Sequence, residues 1–275
     1  GLMSNKINSF AGILNGPSNF IFSKMADEGL SFETALSLAQ KEGFAEPDPT
    51  FDISGKDAAQ KTCILATLSF FKHAAIENVH YEGIDNISAQ DIDYGKQLEL
   101  VLKPLSVGMS KDNKFSLGSF PAFVKEKSLL ASIHNESNAV LMNAESLGGT
   151  MYAGPGAGAK PTSNSVLTDI IDIARGKIFN YQEFVKTSLD TSFEDFSCDR
   201  YLRLEVSDEA GVIAKISTVL AENGLSIDNL IQKELDRNDD SIPLVIVISN
   251  SEEKVIQKAI SDLQELSEVK KTISH

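Results

Sequence analysis

Apolar residues recur at helical spacing between residues 7 and 43, and this pattern predicts helices there. The clearest of these helices starts after Ser31, a residue type that caps helix N-termini, and stops at Gly43. A longer helix is predicted over residues 55–73. Nearly every residue after its first turn and a half is apolar, so we expect its last three turns to be buried.

Residues 44–52 separate these helices and include Pro47 and Pro49. Because proline lacks an amide hydrogen and restricts the residue before it, the sequence predicts a rigid extended loop rather than a helix. This loop carries three carboxylates, those of Glu46, Asp48 and Asp52. It therefore brings negative charge close to the start of the next helix.

From residue 78 to residue 153 the pattern changes to short apolar runs separated by Gly, Asn and Pro, which is typical of strands. Strands are predicted at residues 101–107, 129–133, 139–143 and 150–153, with one helix near residues 89–98. A glycine-rich segment, residues 154–159, leads into a helix from residue 162 to about residue 175. The polar stretch 180–198 has no clear period and is predicted to be a linker.

A second, independent pattern begins after Asp199. Strands are predicted at residues 201–206, 226–235, 242–249 and 269–273, and helices at residues 211–223 and 252–266. The order βαββαβ is that of a ferredoxin-like unit. The predicted fold class is therefore α/β, with a first domain of α+β type built on a mixed sheet and a ferredoxin-like second domain.

Composition and charge exclude several classes of function. The chain has 275 residues, enough for two domains with hydrophobic cores. Its net charge of −14 argues against binding to nucleic acid or to acidic membrane surfaces, because both require clustered Lys and Arg. No apolar run approaches the roughly 18 residues of a membrane span, so a cytoplasmic location is expected. The two cysteines and four histidines lack metal-ligand spacing, and no metal site is expected.

Asp57 and Lys61 give the strongest indication of chemistry. Spaced i, i+4 in a predicted helix, their side chains share one face beside the acidic loop. Lys61 lies where that helix changes from polar to apolar, and a partly desolvated lysine can donate and accept a proton. Reduction of an aldehyde needs such a donor, and an α-amino group on the same substrate needs carboxylates. The alternative is a solvated ion pair that only stabilises the helix.

Several short motifs occur in a fixed order along the first 175 residues. They are Gly12-Ile13-Leu14-Asn15-Gly16-Pro17-Ser18-Asn19, Ala45-Glu46-Pro47-Asp48-Pro49, Asp57-Ala58-Ala59 with Lys61, Asn138-Ala139-Val140, and Gly154-Pro155-Gly156-Ala157-Gly158 with Pro161-Thr162. In this order they resemble the catalytic region of homoserine dehydrogenases. The resemblance implies NAD(P)-dependent interconversion of aspartate 4-semialdehyde and homoserine, a step of threonine and methionine biosynthesis. It also implies that residues 1–160 form the substrate-binding, catalytic and dimerisation domain.

The resemblance assigns roles to residues of the acidic region. Lys61 falls at the proton-donor lysine of the family, and Glu46 and Asp57 fall at the carboxylates that bind homoserine. The predicted substrate-binding set also includes Asp52, Asn15 and Gly16. Pro17 stands where the family usually has threonine, which removes one hydroxyl and one backbone donor from the site.

The glycine-rich segment matches the loose dinucleotide pattern, but no complete βαβ unit surrounds it. By resemblance this loop borders the NAD(P) cofactor through Gly156 and Gly158, and the helix at residues 161–180 packs on an N-terminal nucleotide-binding domain. Relatives carry that domain upstream of the point where this chain starts. We therefore expect a fragment that binds no NAD(P) and is inactive by itself. The alternative is a non-catalytic subunit that senses an amino acid.

Residues 199–275, after a linker at residues 181–198, resemble an ACT domain, which is an amino-acid-sensing module. The resemblance rests on Asp208-Glu209-Ala210-Gly211-Val212-Ile213 and Asn223-Gly224-Leu225-Ser226-Ile227, with Ala210 replacing a common proline. The predicted effector-binding residues are Gly211, Val212 and Ile213, since free amides at a helix start can receive a carboxylate. Such domains pair edge to edge, so a homo-oligomer, dimer or tetramer, is expected, with threonine as effector. The alternative is a unit that only dimerises.

Overall fold

The chain divides after Ser192 into two units, Gly1–Ser192 and Phe193–His275, each with its own sheet. The computed structural model describes residues 4–177, 187–232 and 241–274. Within them, no helix has both the length and the apolar character needed to cross a membrane.

Six strands and six α-helices form the described part of the first unit. They are β1 (Ile7–Ile13), α1 (Gly16–Glu28), α2 (Phe32–Lys41), α3 (Thr50–Ile53), α4 (Lys56–Phe70), β2 (His80–Tyr81), α5 (Ala89–Gln97), β3 (Leu100–Lys111), β4 (Lys114–Lys125), β5 (Ser137–Ala144), β6 (Gly148–Pro155) and α6 (Ala159–Ala174). The strand order is β2-β4-β3-β1-β5-β6. All neighbours are antiparallel except the parallel pair β2 and β4, so the predicted mixed sheet is confirmed.

β1 is a central strand of this sheet, so the prediction of helices from residue 7 is wrong for its first seven residues. Ile7, Phe10 and Ile13 are buried at intervals of three, a spacing that imitates a helical face. They are buried instead because β1 lies in the sheet between β3 and β5 and pairs with both. Helices α1 and α2 follow, and the predicted Ser31 cap is confirmed, because its side chain accepts from the Thr34 amide.

Helix α4 packs on the sheet through small residues. Ala59 and Ala66 are fully buried beside Phe10 and Leu117 of the strands. The expectation that its last three turns are buried is wrong, because Ile64 is 62% and Leu68 is 48% exposed. A helix lying on one side of a sheet buries one face only, so these two apolar residues on the opposite face remain outside.

Two further differences concern short segments. Residues 129–132 form a 3₁₀ turn rather than the predicted strand, and the Ser128 hydroxyl caps it by accepting from the Ala131 amide. Short apolar runs do not distinguish strand from helix by periodicity alone. The acidic loop ends in a helical turn, α3, that begins directly after Pro49, where a missing amide hydrogen costs nothing.

The segment predicted as a linker is only partly free of pairing. Residues 181–186 lie outside the described residues. The backbone of residues 187–192 joins the first unit, since the His73 amide donates to the Thr187 carbonyl at 2.8 Å and the Phe115 amide donates to the Asp190 carbonyl at 3.1 Å. Ser197 and Cys198 already belong to the first strand of the second unit.

The second unit has the elements β7 (Ser197–Val206), α7 (Val212–Glu222), β8 (Ile227–Gln232), β9 (Ile242–Glu252), α8 (Glu253–Gln264) and β10 (Val269–Ser274). Its sheet is antiparallel in the order β10-β7-β9-β8, and the predicted βαββαβ arrangement is confirmed. Leu204 and Ile246 of the strands pack with Ile216 of α7 and Leu263 of α8. The predicted continuation of the second strand to residue 235 lies outside the described residues.

Candidate active site

Asn15 organises the first part of the site. It is buried at the N-cap of α1, where its Oδ1 accepts a hydrogen bond from the Ser18 amide at 2.8 Å. This bond fixes the orientation of the side-chain amide. Both hydrogens of Nδ2 are then directed at carboxylates, with Asp52 Oδ1 and Asp57 Oδ2 each at 2.8 Å. Asn15 thus holds two like charges side by side.

The start of α4 places Asp57 and Lys61. Gly55 caps this helix with φ of 79°, and a Cβ at this position would lie 2.4 Å from the Glu82 carbonyl oxygen. Only glycine fits this approach. One turn separates Asp57 from Lys61, and Lys61 Nζ donates to Asp57 Oδ2 at 2.6 Å.

The carbonyl of Leu14 is a second acceptor for Lys61, at 3.1 Å from Nζ. It also accepts from Asn138 Nδ2 at 3.4 Å. Leu14 and Asn138 each lie within a sequence motif, but neither is among the predicted site residues. A main-chain oxygen leaves no signal in side-chain chemistry, so only the tertiary structure shows it.

Asp52 is partly buried, and its burial affects its protonation. Desolvation raises the pKa of this carboxyl above its ordinary value, and the negative charges of Asp57 and Glu46 act in the same direction. The hydrogen bond from Asn15 and the charge of Lys61 oppose them. Glu46 itself is exposed at the edge of the cluster. It acts on Asp52 through the repulsion between the two carboxylate charges.

The cluster keeps unused hydrogen-bonding capacity. Asn15 and Lys61 both donate to Oδ2 of Asp57, and within the described residues no donor lies at hydrogen-bond distance from its Oδ1. Lys61 is 47% exposed at its side chain and Asp57 18%. An ammonium group of a substrate could therefore bind the carboxylates while the Lys61 ammonium faces a carbonyl or hydroxyl oxygen beside it.

The remaining predicted substrate residue, Gly16, is the first residue of α1, followed by Pro17. Amides in the first turn of a helix have no acceptor within the helix, so proline at this position costs no hydrogen bond. The structure thus brings together Asn15, Gly16, Asp52, Asp57 and Lys61 of the predicted set, with Glu46 at the edge.

The glycine-rich loop lies beside this cluster. Gly156 packs so closely on Asn138 that a Cβ would lie 2.0 Å from its Nδ2, and Gly158 caps α6. Asn138 Oδ1 is a buried acceptor without a hydrogen-bond partner in the described part of the chain. These groups fit the border of a bound cofactor. They do not form a nucleotide-binding unit, because β6 pairs antiparallel with β5 and no parallel βαβ unit occurs in the described residues.

A separate cavity of about 360 Å³ lies in the second unit, at the loop between β7 and α7. It is lined by Asp208, Glu209 and the predicted effector residues Gly211, Val212 and Ile213, together with residues from the neighbouring strands, including Gln232 and Leu244. The start of the helix offers a site for a carboxylate, and the acidic side chains beside it offer a site for an ammonium group. A zwitterionic amino acid combines these two groups.

Each of the two units matches a known protein family. Residues 1–171 match the family model of the homoserine dehydrogenase catalytic region, and residues 200–268 match the ACT domain. The homoserine dehydrogenase of Pseudomonas aeruginosa is 35% identical over 279 residues, which cover 98% of this chain and 64% of that protein. A crystal structure of a homoserine dehydrogenase from Thiobacillus denitrificans superposes with a TM-score of 0.92 at 33% identity, covering 100% of this chain and 64% of that one.

A hyperthermophilic archaeal homoserine dehydrogenase in complex with NADPH is also similar, with a TM-score of 0.54 at 25% identity over 66% of this chain and 51% of that one. The fold and the sites define a protein in which an α/β domain with an acidic, lysine-containing cluster precedes an ACT domain. The chain belongs to the homoserine dehydrogenase family. It spans about 64% of the length of the relatives it matches.

Proposed function

We propose that this chain supplies the substrate-binding and proton-transfer part of a homoserine dehydrogenase, which interconverts aspartate 4-semialdehyde and homoserine with NAD(P). The observation that carries the proposal is the constellation of Asn15, Asp52, Asp57 and Lys61. The Asn15 amide donates to both carboxylates, and the Lys61 ammonium donates to that of Asp57. The family match and the relatives, all named as homoserine dehydrogenases, support it.

In the reducing direction, the α-ammonium of the substrate binds the carboxylates of Asp52 and Asp57, with Glu46 adding negative charge at the entrance. A nicotinamide dinucleotide supplies the hydride when it is bound. The aldehyde oxygen becomes a hydroxyl by taking a proton from Lys61 Nζ, which leaves a neutral amine. Because the Lys61 side chain is 47% exposed, water can return that proton. In the oxidising direction the same amine accepts the hydroxyl proton.

Most of the cofactor site lies outside this chain in the proposal. Asn138, Gly156 and Gly158 would border the nicotinamide end, while the phosphates need a helix N-terminus in a βαβ unit. Helix α6 supports this division, because its apolar residues Val166, Leu167, Ile170, Ile171 and Ile173 are all exposed. The related archaeal enzyme is described in complex with NADPH, so we infer the same class of cofactor here.

Titration with homoserine tests the substrate site without the cofactor. Wild-type chain should release heat on binding in a calorimeter, and Asp57→Asn should weaken the affinity by roughly tenfold or more, because a hydrogen bond to a charged group is lost. Asp93→Asn, on the exposed surface of α5, is the matched control and should bind as the wild type. Absence of homoserine binding by the wild-type chain would contradict the proposal.

The chain alone is expected to bind NAD(P)H weakly or not at all. Tight stoichiometric binding, measured by the fluorescence of NADPH, would show that residues of this chain complete the cofactor site and would overturn the division proposed above. The wild-type titration with homoserine is the positive control for a folded site.

The second unit is proposed to bind an amino-acid effector in the 360 Å³ cavity, with threonine as the product to be tested first. Its carboxylate would bind the amides at the start of α7, and its ammonium the side of Asp208 and Glu209. Pairing of such units would make the protein a homo-oligomer. Threonine should raise the melting temperature of the wild type but not of Gly211→Val, which fills the loop. Sedimentation at several concentrations measures the assembly.

A further inference from the structure

Lys103 is a buried lysine outside the site described above. It lies on β3 with 2% of its surface exposed, and its Nζ donates to the Ile133 carbonyl at 2.5 Å. Removing an ammonium from water is costly, and burial lowers the pKa of Lys103 to about 8.

The bond holds residues 133–138, here called the clamped turn. Asn19 of α1 directs Nδ2 at three carbonyls of this turn, those of Ile133 at 3.2 Å, Asn135 at 2.8 Å and Ser137 at 3.3 Å. One amide nitrogen has only two hydrogens, so Asn19 cannot satisfy all three carbonyls at once. Lys103 supplies the additional donor at Ile133.

The clamped turn contacts the proposed proton-transfer site at two points. The Glu136 carbonyl oxygen packs against Gly16, where a Cβ would lie 2.8 Å away. Asn138, at the end of the turn, donates to the Leu14 carbonyl, the oxygen that also accepts from Lys61. These contacts connect the turn to the Leu14 oxygen and to the first residue of α1.

We propose that Lys103 is a positioning residue for the Leu14 to Gly16 segment, acting through the clamped turn on the main-chain oxygen that orients Lys61. This inference rests on the proposed function for its catalytic meaning. The hydrogen bonds that connect β3, the turn and the start of α1 are present whether or not the proposed function is right.

Replacement of Lys103 by methionine keeps the length and bulk of the stem and removes the donor. Lys111→Met, at the exposed end of the same strand, is the matched control. Amide resonances in ¹H–¹⁵N spectra of Lys103→Met should shift in the clamped turn and, beyond it, at Leu14, Asn15 and Gly16. Shifts confined to β3 and its strand partners would overturn the proposal, whether or not homoserine binds.

Affinity for homoserine provides the functional measurement. Lys103→Met should bind it roughly tenfold more weakly than wild type and Lys111→Met. Asn138→Ala removes one of the two contacts between the turn and the site, so the loss caused by Lys103→Met should be smaller in the Asn138→Ala background than in the wild type. Full additivity, or unchanged affinity in folded Lys103→Met, would refute the positioning role. Absence of binding by the wild type would contradict the proposed function instead, and the spectra would still decide for or against the connection.

If Lys103→Met does not fold, Asn138→Ala tests the same path with the lysine in place. It should shift Leu14 and Gly16 resonances and weaken homoserine binding, while the Ile133 resonance stays unchanged. A shift at Ile133 of the same size as at Leu14 would mean that the turn is not held from the Lys103 side, and the inference would fail.

Discussion

Single side chains in this protein serve two purposes at once, and Asn15 is the clearest case. Its Oδ1 caps α1, while its Nδ2 joins the carboxylates of Asp52 and Asp57. All of its hydrogen-bonding groups are therefore engaged with the protein. The sequence predicts Asn15 as a substrate-binding residue, whereas the geometry favours a role in holding the carboxylates that would bind the substrate.

Asn15→Ser separates these two purposes, since serine is a good cap but lacks the two amide hydrogens. We expect the free energy of unfolding to fall by about 1 to 3 kcal/mol, because two hydrogen bonds to charged groups are lost, and homoserine affinity to fall as well. Asn15→Ala should lose the cap as well and cost about 1 kcal/mol more. Urea unfolding and calorimetry of both variants check this. Equal stability of the two variants would show that the cap contributes nothing.

Lys103 gives a pH dependence whose sign follows from its burial. Its pKa is about 8 in the folded chain against 10.5 for an exposed lysine, so between these values unfolding takes up a proton. The contribution of Lys103 to the free energy of unfolding is unfavourable and constant below pH 8, and becomes less unfavourable as the pH rises towards 10.5.

The difference in stability between wild type and Lys103→Met should therefore move in favour of the wild type as the pH rises from 7 to about 10. Urea unfolding at several pH values measures it, with Lys111→Met subtracting the titration of all other groups. A difference that does not depend on pH would mean that Lys103 keeps an ordinary pKa in the folded protein.

At the scale of elements, α4 depends on a glycine that its sequence pattern does not explain. Gly55 combines a left-handed backbone with contact to the Glu82 carbonyl, and Asp57 follows two residues later. Its position fixes where the helix starts and therefore which face carries Asp57 and Lys61.

Gly55→Ala should destabilise the protein by more than Gly29→Ala. Both glycines have positive φ, 79° and 67°, but a Cβ on Gly29 meets no atom within 4 Å. The expected loss is about 1 kcal/mol for Gly29→Ala from backbone strain alone, and clearly more for Gly55→Ala, where the Glu82 backbone must also move. Urea unfolding compares the two, and equal losses would show that the Glu82 contact relaxes without cost.

β4 is a strand that the sequence pattern does not predict. β4 contains Pro121, which lies opposite Pro104 of β3, and a sheet accommodates proline where its missing amide hydrogen needs no acceptor. Among the described residues, the neighbour of β4 on one side is β2, which pairs with Gly118 and Ser119 and ends before the proline. At Pro121 the strand is therefore an edge, where the missing amide hydrogen leaves no partner unsatisfied.

At the scale of the whole molecule, the apolar surface of α6 stands apart from the two cores. None of its residues is buried, although five large apolar side chains lie on it. The second unit, by contrast, buries Leu204 completely between its sheet and helices. The stability of this chain should thus depend on buried core residues such as Leu204 and not on the exposed apolar residues of α6.

Leu167→Ser and Ile170→Ser should each change the free energy of unfolding by no more than about 0.5 kcal/mol, because the side chains are already in water. Leu204→Ala should cost about 2 to 5 kcal/mol through lost burial and the cavity left behind. Thermal and urea unfolding of the three variants provide the comparison. A large loss from either α6 variant would mean that this helix is covered within the chain itself.

The sequence by itself determined the class of fold, the βαββαβ unit, and the pairing of Asp57 with Lys61, because periodicity and i, i+4 spacing are local properties. Motif order was enough to indicate the family. Only the tertiary structure decided that residues 7–13 form a central strand, that Ile64 and Leu68 are exposed, and that Leu14, Asn138 and Lys103 are connected to the site. Those outcomes depend on contacts between residues far apart in the chain and on main-chain oxygens, which no local pattern records.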